Sequence, residues 1–161
     1  MPHLSDSPHL FASSQWTFLT PALYSKAQDL QFMCFQERWN FETLFAYPNT
    51  WGYICQDDLT KHCIGLICMR QVCEEAEVLT LCVDPEYRQQ GIGTVLLMRA
   101  KNDCSARDVK RILLEVDVHN ESAYRLYTRL NFRQVGTRPN YYHYADGRVH
   151  DAMILMHLMN D

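Results

Sequence analysis

Long apolar runs are missing from this chain. Nothing in it approaches the roughly 20 consecutive apolar residues that a membrane-spanning helix needs, so no membrane partner is expected. The first fourteen residues, MPHLSDSPHLFASS, have neither a basic start nor a continuous apolar segment. They do not read as a secretory leader, and residues 1–14 are taken as a loose N-terminal arm. Basic charge is also short: 15 Lys and Arg stand against 19 Asp and Glu, a net charge of −4. That balance argues against a nucleic-acid partner. Metal motifs are absent too, since seven cysteines include no Cys-x-x-Cys and seven histidines no His-Glu-x-x-His. Cys63, Cys68 and Cys73 recur every five residues, so along an extended strand they alternate faces and cannot share an ion. The expectation is no metal, with buried free thiols in a reducing cytoplasm.

What is present describes a globular chain. It has 161 residues, 47% of them apolar and 21% charged, enough for one domain that buries about 70% of its surface. There is no repeat, low-complexity segment or internal linker, so residues 15–161 read as a single domain. The pattern is mixed α/β. TPALYSKAQDLQFMCF opens on Thr20 and a proline, a favourable helix start. NFETLFAY from Asn40 is a short helix stopped by Pro48. WGYICQ and HCIGLICMRQV read as paired strands around DDLTK. EAEVLTLCV is a strand closed by Asp84-Pro85. Ile92, Leu96, Ala100 and Cys104 recur every four residues and give a helix with one apolar stripe. RILLEVDV is a strand, ESAYRLYTRL after Asn120 a helix, and HDAMILMHLM a last strand.

The segment CVDPEYRQQGIGTVLLMRA holds two glycines one residue apart, between a strand and a helix. A dinucleotide loop would need a third glycine where Val95-Leu96 stand, and a P-loop would need a lysine that is not there. Arg-x-x-Gly-x-Gly, Arg88 to Gly93, remains. Its glycines let backbone N–H groups converge at a helix N-terminus, which carries about half a positive charge, and so form a pyrophosphate cradle. An ordinary two-glycine turn is the alternative.

The order strand, VDPEYRQQGIG, helix, LLEV, Asn, helix with YRLYTRLNF resembles the GNAT acetyltransferases. The tail RPNYYHYADGRVHDAMIL narrows the likeness to the bacterial ribosomal-protein-alanine N-acetyltransferases, from about Glu77 to Leu158. The resemblance implies an α/β (α+β) fold: a mixed, mostly antiparallel, twisted sheet with helices on both faces. It also implies an acetyl-CoA cleft between two splayed central strands, with acetyl-CoA as cosubstrate. The pyrophosphate would lie on Arg88, Gln89, Gln90, Gly91, Ile92, Gly93 and Thr94. The pantetheine arm would pair like an added strand with Leu81, Cys82 and Val83, which suits two amides in a water-poor cleft. Asn120 corresponds to a coenzyme contact, although helix N-capping explains it equally well.

The implied chemistry is attack of an amine on a thioester. An α-amino group has a pKa near 8 and must shed a proton first. In RILLEVDV, Leu113, Glu115 and Asp117 share one strand face while Ile112, Leu114 and Val116 share the other. Glu115 corresponds to the family's general base, the alternative being a strand-end carboxylate facing water. At an ordinary pKa of about 4.3 a glutamate is a weak base, which calls for a perturbed carboxyl or an intervening water. Tyr127, four residues before Asn131, falls where the family keeps its general acid. The stripe Ala123, Leu126, Tyr127, Leu130 also allows plain core packing, and Tyr124 competes for the role. Asn131 stands where relatives have glycine, and it tolerates a left-handed cap.

Tyr141 and Tyr142 match residues that grip a peptide near its N-terminus in related enzymes, with strand aromatics as the plain alternative. The first two helices would form the other wall, although CFQERWNFETLF lacks the proline that usually precedes the family's tryptophan. An α-amine loses its proton more easily than lysine by about 2.4 pKa units, which favours terminal acetylation. The implied function is acetylation of an N-terminal alanine, of a small-subunit ribosomal protein, in the cytoplasm. A small-molecule amine acetyltransferase and a non-catalytic acetyl-CoA binder stay open as alternatives.

Overall fold

A computed structural model of the protein describes residues 14–159. The expected N-terminal arm therefore lies outside the described residues, except Ser14, which opens the first strand. The fold is a mixed seven-stranded sheet in the order β1-β2-β3-β4-β5-β7-β6. Contacts divide it into two compact units, one holding the chain up to Arg70 and Leu79–Asn102, the other Gln71–Val78 and the chain from Asp103 onward.

The first unit begins with β1 (Ser14–Phe18), which pairs antiparallel with β2 (Thr50–Asp57). β2 in turn pairs antiparallel with β3 (Cys63–Val72). Every residue of β3 from Cys63 to Met69 is buried, which accounts for its unbroken apolar run. Helix α1 (Tyr24–Phe35) starts later than the sequence suggests. A 3-10 turn, Pro21–Leu23, comes first, and the Thr20 side chain makes no capping bond. Proline sets the turn's φ, the Leu23 N–H donates to the Thr20 carbonyl at 2.8 Å and the Tyr24 N–H to the Pro21 carbonyl, so a tighter 3-10 turn closes before the α-helix begins. Helix α1 ends on Gln36 in the left-handed region (φ 57). Helix α2 (Phe41–Ala46) is capped by Asn40, whose Oδ1 accepts from the Thr43 N–H at 2.9 Å.

A glycine fixes where the next helix lies. A Cβ on Gly65 of β3 would come within 2.6 Å of Ile92 Cγ2 and 3.0 Å of Leu96 Cδ1. Helix α3 (Ile92–Ala106) therefore rests its first two turns directly on β3. Its stripe is as expected: Ile92, Leu96, Ala100 and Cys104 are all buried.

β4 (Glu75–Val83) has its first four residues in the second unit, where it runs parallel to β5 (Arg111–Asp117) over Glu75–Glu77 and Arg111–Leu113. β5 pairs antiparallel with β7 (Val149–Leu158), from Arg111 opposite Leu158 to Asp117 opposite Ala152. β7 pairs on its far side with β6 (Arg133–His143), which ends the strand order. Helix α4 (Glu121–Arg129) is capped by Asn120 Oδ1, which accepts from the Ala123 N–H at 3.1 Å. Past its end Asn131 takes φ 66, the left-handed conformation expected for it.

Two strands, β1 and β6, have no counterpart in the sequence pattern. β6 is nearly all exposed and carries Gly136 and Pro139, so it lacks the alternation that marks a half-buried strand. The expectation that all the cysteines are buried also needs correction. Cys73 is exposed at a left-handed turn after β3, and Cys34 is half-buried; Cys55, Cys63, Cys68, Cys82 and Cys104 are buried free thiols.

Candidate active site

The first unit contributes the glycine loop. After β4, Asp84 Oδ1 accepts from the Glu86 N–H at 2.9 Å and shapes a 3-10 turn over Pro85–Tyr87. Gln89 (φ 60) and Gly91 (φ 84) are both left-handed. α3 then starts at Ile92, and the Gly91 carbonyl accepts from Val95 N–H at 3.1 Å as the first turn closes. The two glycines thus play different parts. Gly91 supplies a backbone conformation that an L side chain resists, whereas Gly93 sits inside the first helical turn. Left-handed residues just before a helix aim successive N–H groups the same way. The first-turn N–H groups of a helix have no intrahelical acceptor. Such an arrangement can hold an anion.

Along β4, Leu81 and Val83 are half-buried while Cys82 faces the core between them, so Cys82 has only its backbone to offer a ligand. The Val83 carbonyl accepts from Arg88 Nε at 3.1 Å and from Cys34 Sγ at 3.6 Å. Arg88 is therefore tied to the strand through Nε while the residue stays exposed. A hydrogen bond with Cys82, opposed by burial and aided by Arg88, brings the Cys34 thiol down to about 7. Burial pushes Cys55, Cys63 and Cys104 up to about 12.

The second unit contributes the carboxylates and tyrosines. Alternation on β5 buries Ile112, Leu114 and Val116 and leaves Leu113 and Glu115 half-buried on the other face, as expected. Glu115 does not face water alone. Arg138 of β6 donates through Nη1 to its Oε1 at 2.5 Å, with side-chain exposures of 54% for the arginine and 17% for the glutamate. The Arg138 guanidinium also lies 4.9 Å from the centre of the Tyr141 ring. A hydrogen bond to Glu115, with burial second, raises the Tyr141 phenol to about 12. The Tyr142 hydroxyl donates to the Glu115 backbone carbonyl at 3.2 Å, and burial raises its pKa. Tyr141 and Tyr142 meet edge to face at 5.0 Å.

Tyr127 is buried on α4, its ring 5.7 Å from Phe132. Tyr124 is half-buried, and its backbone carbonyl accepts from the Thr128 hydroxyl at 2.9 Å. Asn120 spends its side-chain oxygen on the α4 cap.

Sequence reasoning missed Arg138. An arginine before Pro139 in an exposed stretch carries no local signal, because its partner lies 23 residues away. Only the strand order brings them together. It also missed the surroundings of Asp117, whose carboxylate lies 2.7 Å from His150 Nδ1 and accepts from the Tyr144 hydroxyl.

The first unit thus holds a strand-turn-helix anion cradle, and the second a carboxylate met by arginine and tyrosine side chains from β6, two strands away. The Acetyltransferase (GNAT) family matches residues 20–132, and the chain belongs to it. The [ribosomal protein bS18]-alanine N-acetyltransferase of Escherichia coli K12 is 39% identical over 84 residues, 52% of this chain and 56% of that protein. The chain thus spans about half the length of several curated relatives that it matches. A putative enzyme of the same name in Bacillus subtilis is 26% identical over 83% of this chain and 87% of that protein. The crystal structure of the Escherichia coli ribosomal-protein-S18-alanine N-acetyltransferase superposes with a TM-score of 0.78 at 26% identity, over 89% of this chain and 92% of that one. Arabidopsis thaliana NAA60 in complex with acetyl-CoA gives 0.82 at 20% identity, over 92% of this chain and all of that one, a likeness of fold alone.

Proposed function

We propose that this chain is a protein N-terminal acetyltransferase. It would move acetyl from acetyl-CoA to the free α-amino group of an N-terminal alanine, with a small-subunit ribosomal protein in the cytoplasm as substrate. One observation carries the reading: Tyr141, Tyr142 and Arg138 converge on Glu115, so the residues suited to grip a peptide gather around the residue suited to take its proton. The similarity to alanine N-acetyltransferases supports the same reading.

Acetyl-CoA would be held by backbone N–H groups from Gln89 to Thr94, with the backbone of Leu81, Cys82 and Val83 as pantetheine partners and Asn120 as a further contact. When bound it supplies the activated acyl group. Glu115 takes a proton from the substrate ammonium, and the freed amine attacks the thioester carbonyl. As the C–S bond breaks, Tyr127 donates its phenolic proton to the departing thiolate, and the second proton shed by the acylated nitrogen restores the phenol. Arg138 and Tyr141 hold the Glu115 carboxylate in place, and Tyr142 holds its backbone.

The test is a turnover assay with acetyl-CoA and three substrate sets: an Ala-starting ribosomal peptide, the same peptide with a blocked N-terminus, and a panel of small amines. Acetylation of the free peptide alone is expected. Turnover confined to small amines would overturn the peptide reading, and coenzyme binding without turnover on any set would leave a binding module.

A further inference from the structure

The carboxylate of Asp117 has no part in that chemistry, yet it meets three hydrogen-bond partners. It is buried near the end of β5, where an unsatisfied charge is costly. Oδ1 accepts from the His119 N–H at 2.8 Å and shapes the turn into α4. Oδ2 is shared by the Tyr144 hydroxyl and His150 Nδ1. Burial alone would push this carboxyl up, but Tyr144, the His119 N–H and His150 together hold it below the ordinary range.

Those two Oδ2 partners flank one hairpin tip. Tyr144 precedes and His150 follows the turn closed by Tyr144 N–H to the Arg148 carbonyl at 2.9 Å and Gly147 N–H to the Tyr144 carbonyl at 2.9 Å. Their rings lie 4.9 Å apart, His119 meets His150 edge-on at 4.4 Å, and Tyr144 stacks against Tyr142 at 6.5 Å. The β6–β7 register is broken between Arg138 and Tyr142, with Asn140 left-handed (φ 53). Pro139, Asn140 and Tyr141 therefore lie outside the regular ladder, which resumes at Tyr142 opposite His150. Side chains must hold the stretch that carries Tyr141.

We propose that Asp117 is a positioning residue that latches the β6–β7 hairpin onto the end of β5, through Tyr144 and His150, and so sets Tyr142 and Tyr141 for the peptide; this rests on the peptide reading above. One carboxylate oxygen ties both arms of the hairpin to the strand that carries Glu115. Tyr142, stacked on Tyr144 and bonded to the Glu115 carbonyl, passes that placement on to the site. Losing the latch loosens the wall that receives the peptide and leaves the coenzyme loop untouched.

The experiment uses Asp117→Asn, which keeps an acceptor for the His119 N–H but cannot accept from both Tyr144 and His150. Tyr144→Phe is the milder companion, removing one donor and no bulk. Amide hydrogen exchange without substrate should speed up about tenfold or more over residues 141–149 in Asp117→Asn, and less in Tyr144→Phe. In turnover, KM for the Ala-starting peptide should rise about tenfold while kcat and the acetyl-CoA KM stay within about twofold, the mark of lost positioning. Unchanged exchange in both variants overturns the latch whatever the activity. Faster exchange with an unchanged peptide KM overturns the positioning role and leaves Asp117 structural. If the wild type acetylates no peptide while exchange still responds, the latch stands and the peptide reading falls.

Discussion

Gly91→Ala separates backbone strain from ligand binding, because the fold supplies its own control. Gly91 has φ 84 and closes the loop before α3, while Gly147 has φ 87 at the β6–β7 hairpin tip with open space around its Cβ position. An alanine held at such an angle costs about 1–2 kcal/mol at either site. For a chain of this size that is a drop of about 2–8 °C in Tm, and the two variants should lose similar amounts. They should differ with acetyl-CoA. If Gly91→Ala relaxes its strained φ, the N–H groups of Ile92 to Thr94 turn away from a common point. Losing one charge-assisted hydrogen bond to a pyrophosphate costs about 1.5–3 kcal/mol, or roughly ten- to a hundredfold in Kd. Calorimetric titration with acetyl-CoA, alongside melting curves, measures both quantities. Equal melting losses with weaker binding only in Gly91→Ala are expected. Native affinity in Gly91→Ala, or an equal loss of affinity in Gly147→Ala, would refute the backbone cradle.

Glu115→Gln keeps size and a hydrogen-bond acceptor for Arg138 but cannot take a proton at neutral pH, so turnover should fall by about two orders of magnitude or more with acetyl-CoA affinity unchanged. Raising the pH towards the amine's own pKa, near 8, should recover part of the loss, and wild-type turnover in this variant would remove Glu115 from the mechanism. Tyr127→Phe keeps the ring against Phe132 and removes the phenolic proton, so Tm should hold while the rate drops about 10²- to 10⁴-fold; a normal rate there with a loss in Tyr124→Phe would move the acid one turn along α4. Cys34, brought down to about 7 by Cys82 and Arg88, should show an alkylation rate with a midpoint near that value, and Arg88→Ala should raise it. Peptide mapping by mass spectrometry reads this directly, and a midpoint near 8.5, the ordinary thiol value, would refute the Cys34–Cys82 pairing.

The readable elements are those whose side chains meet one continuous core. Ile92, Leu96, Ala100 and Cys104 are all buried, so spacing alone identifies the helix and the face it presents. The same holds for Ile112, Leu114 and Val116 on β5, whose alternation assigns Glu115 to the opposite face. β6 escapes because an edge strand needs no buried face, and its Pro139 removes a ladder donor that an edge can spare. Glycine spacing marks the loop, but it cannot tell that Gly91 needs a positive φ and Gly93 does not. Arg138 and the Tyr144–Asp117–His150 group are invisible for a different reason. Each is an ordinary polar residue in its own segment, and its meaning comes from partners 23 to 33 residues away.

Strand order explains which residue types had to stand there. β7 lies between β5 and β6, so β6 runs two strand spacings from β5, about 10 Å across the sheet. A short polar side chain on β6 cannot reach a carboxylate on β5 over that gap. Arginine and tyrosine can, and they are what the second unit uses: Arg138 and Tyr141 for Glu115, Tyr142 for the backbone beneath it, Tyr144 for Asp117. Glu115 and Asp117 sit two residues apart on one strand face, about 7 Å along β5, so two carboxylates share a face without sharing partners. The first is met by a half-exposed guanidinium that a substrate can approach. The second is buried under two donors from one hairpin. The same alternation that would offer Glu115 to a peptide thus provides Asp117 as the anchor for the strand that would grip it.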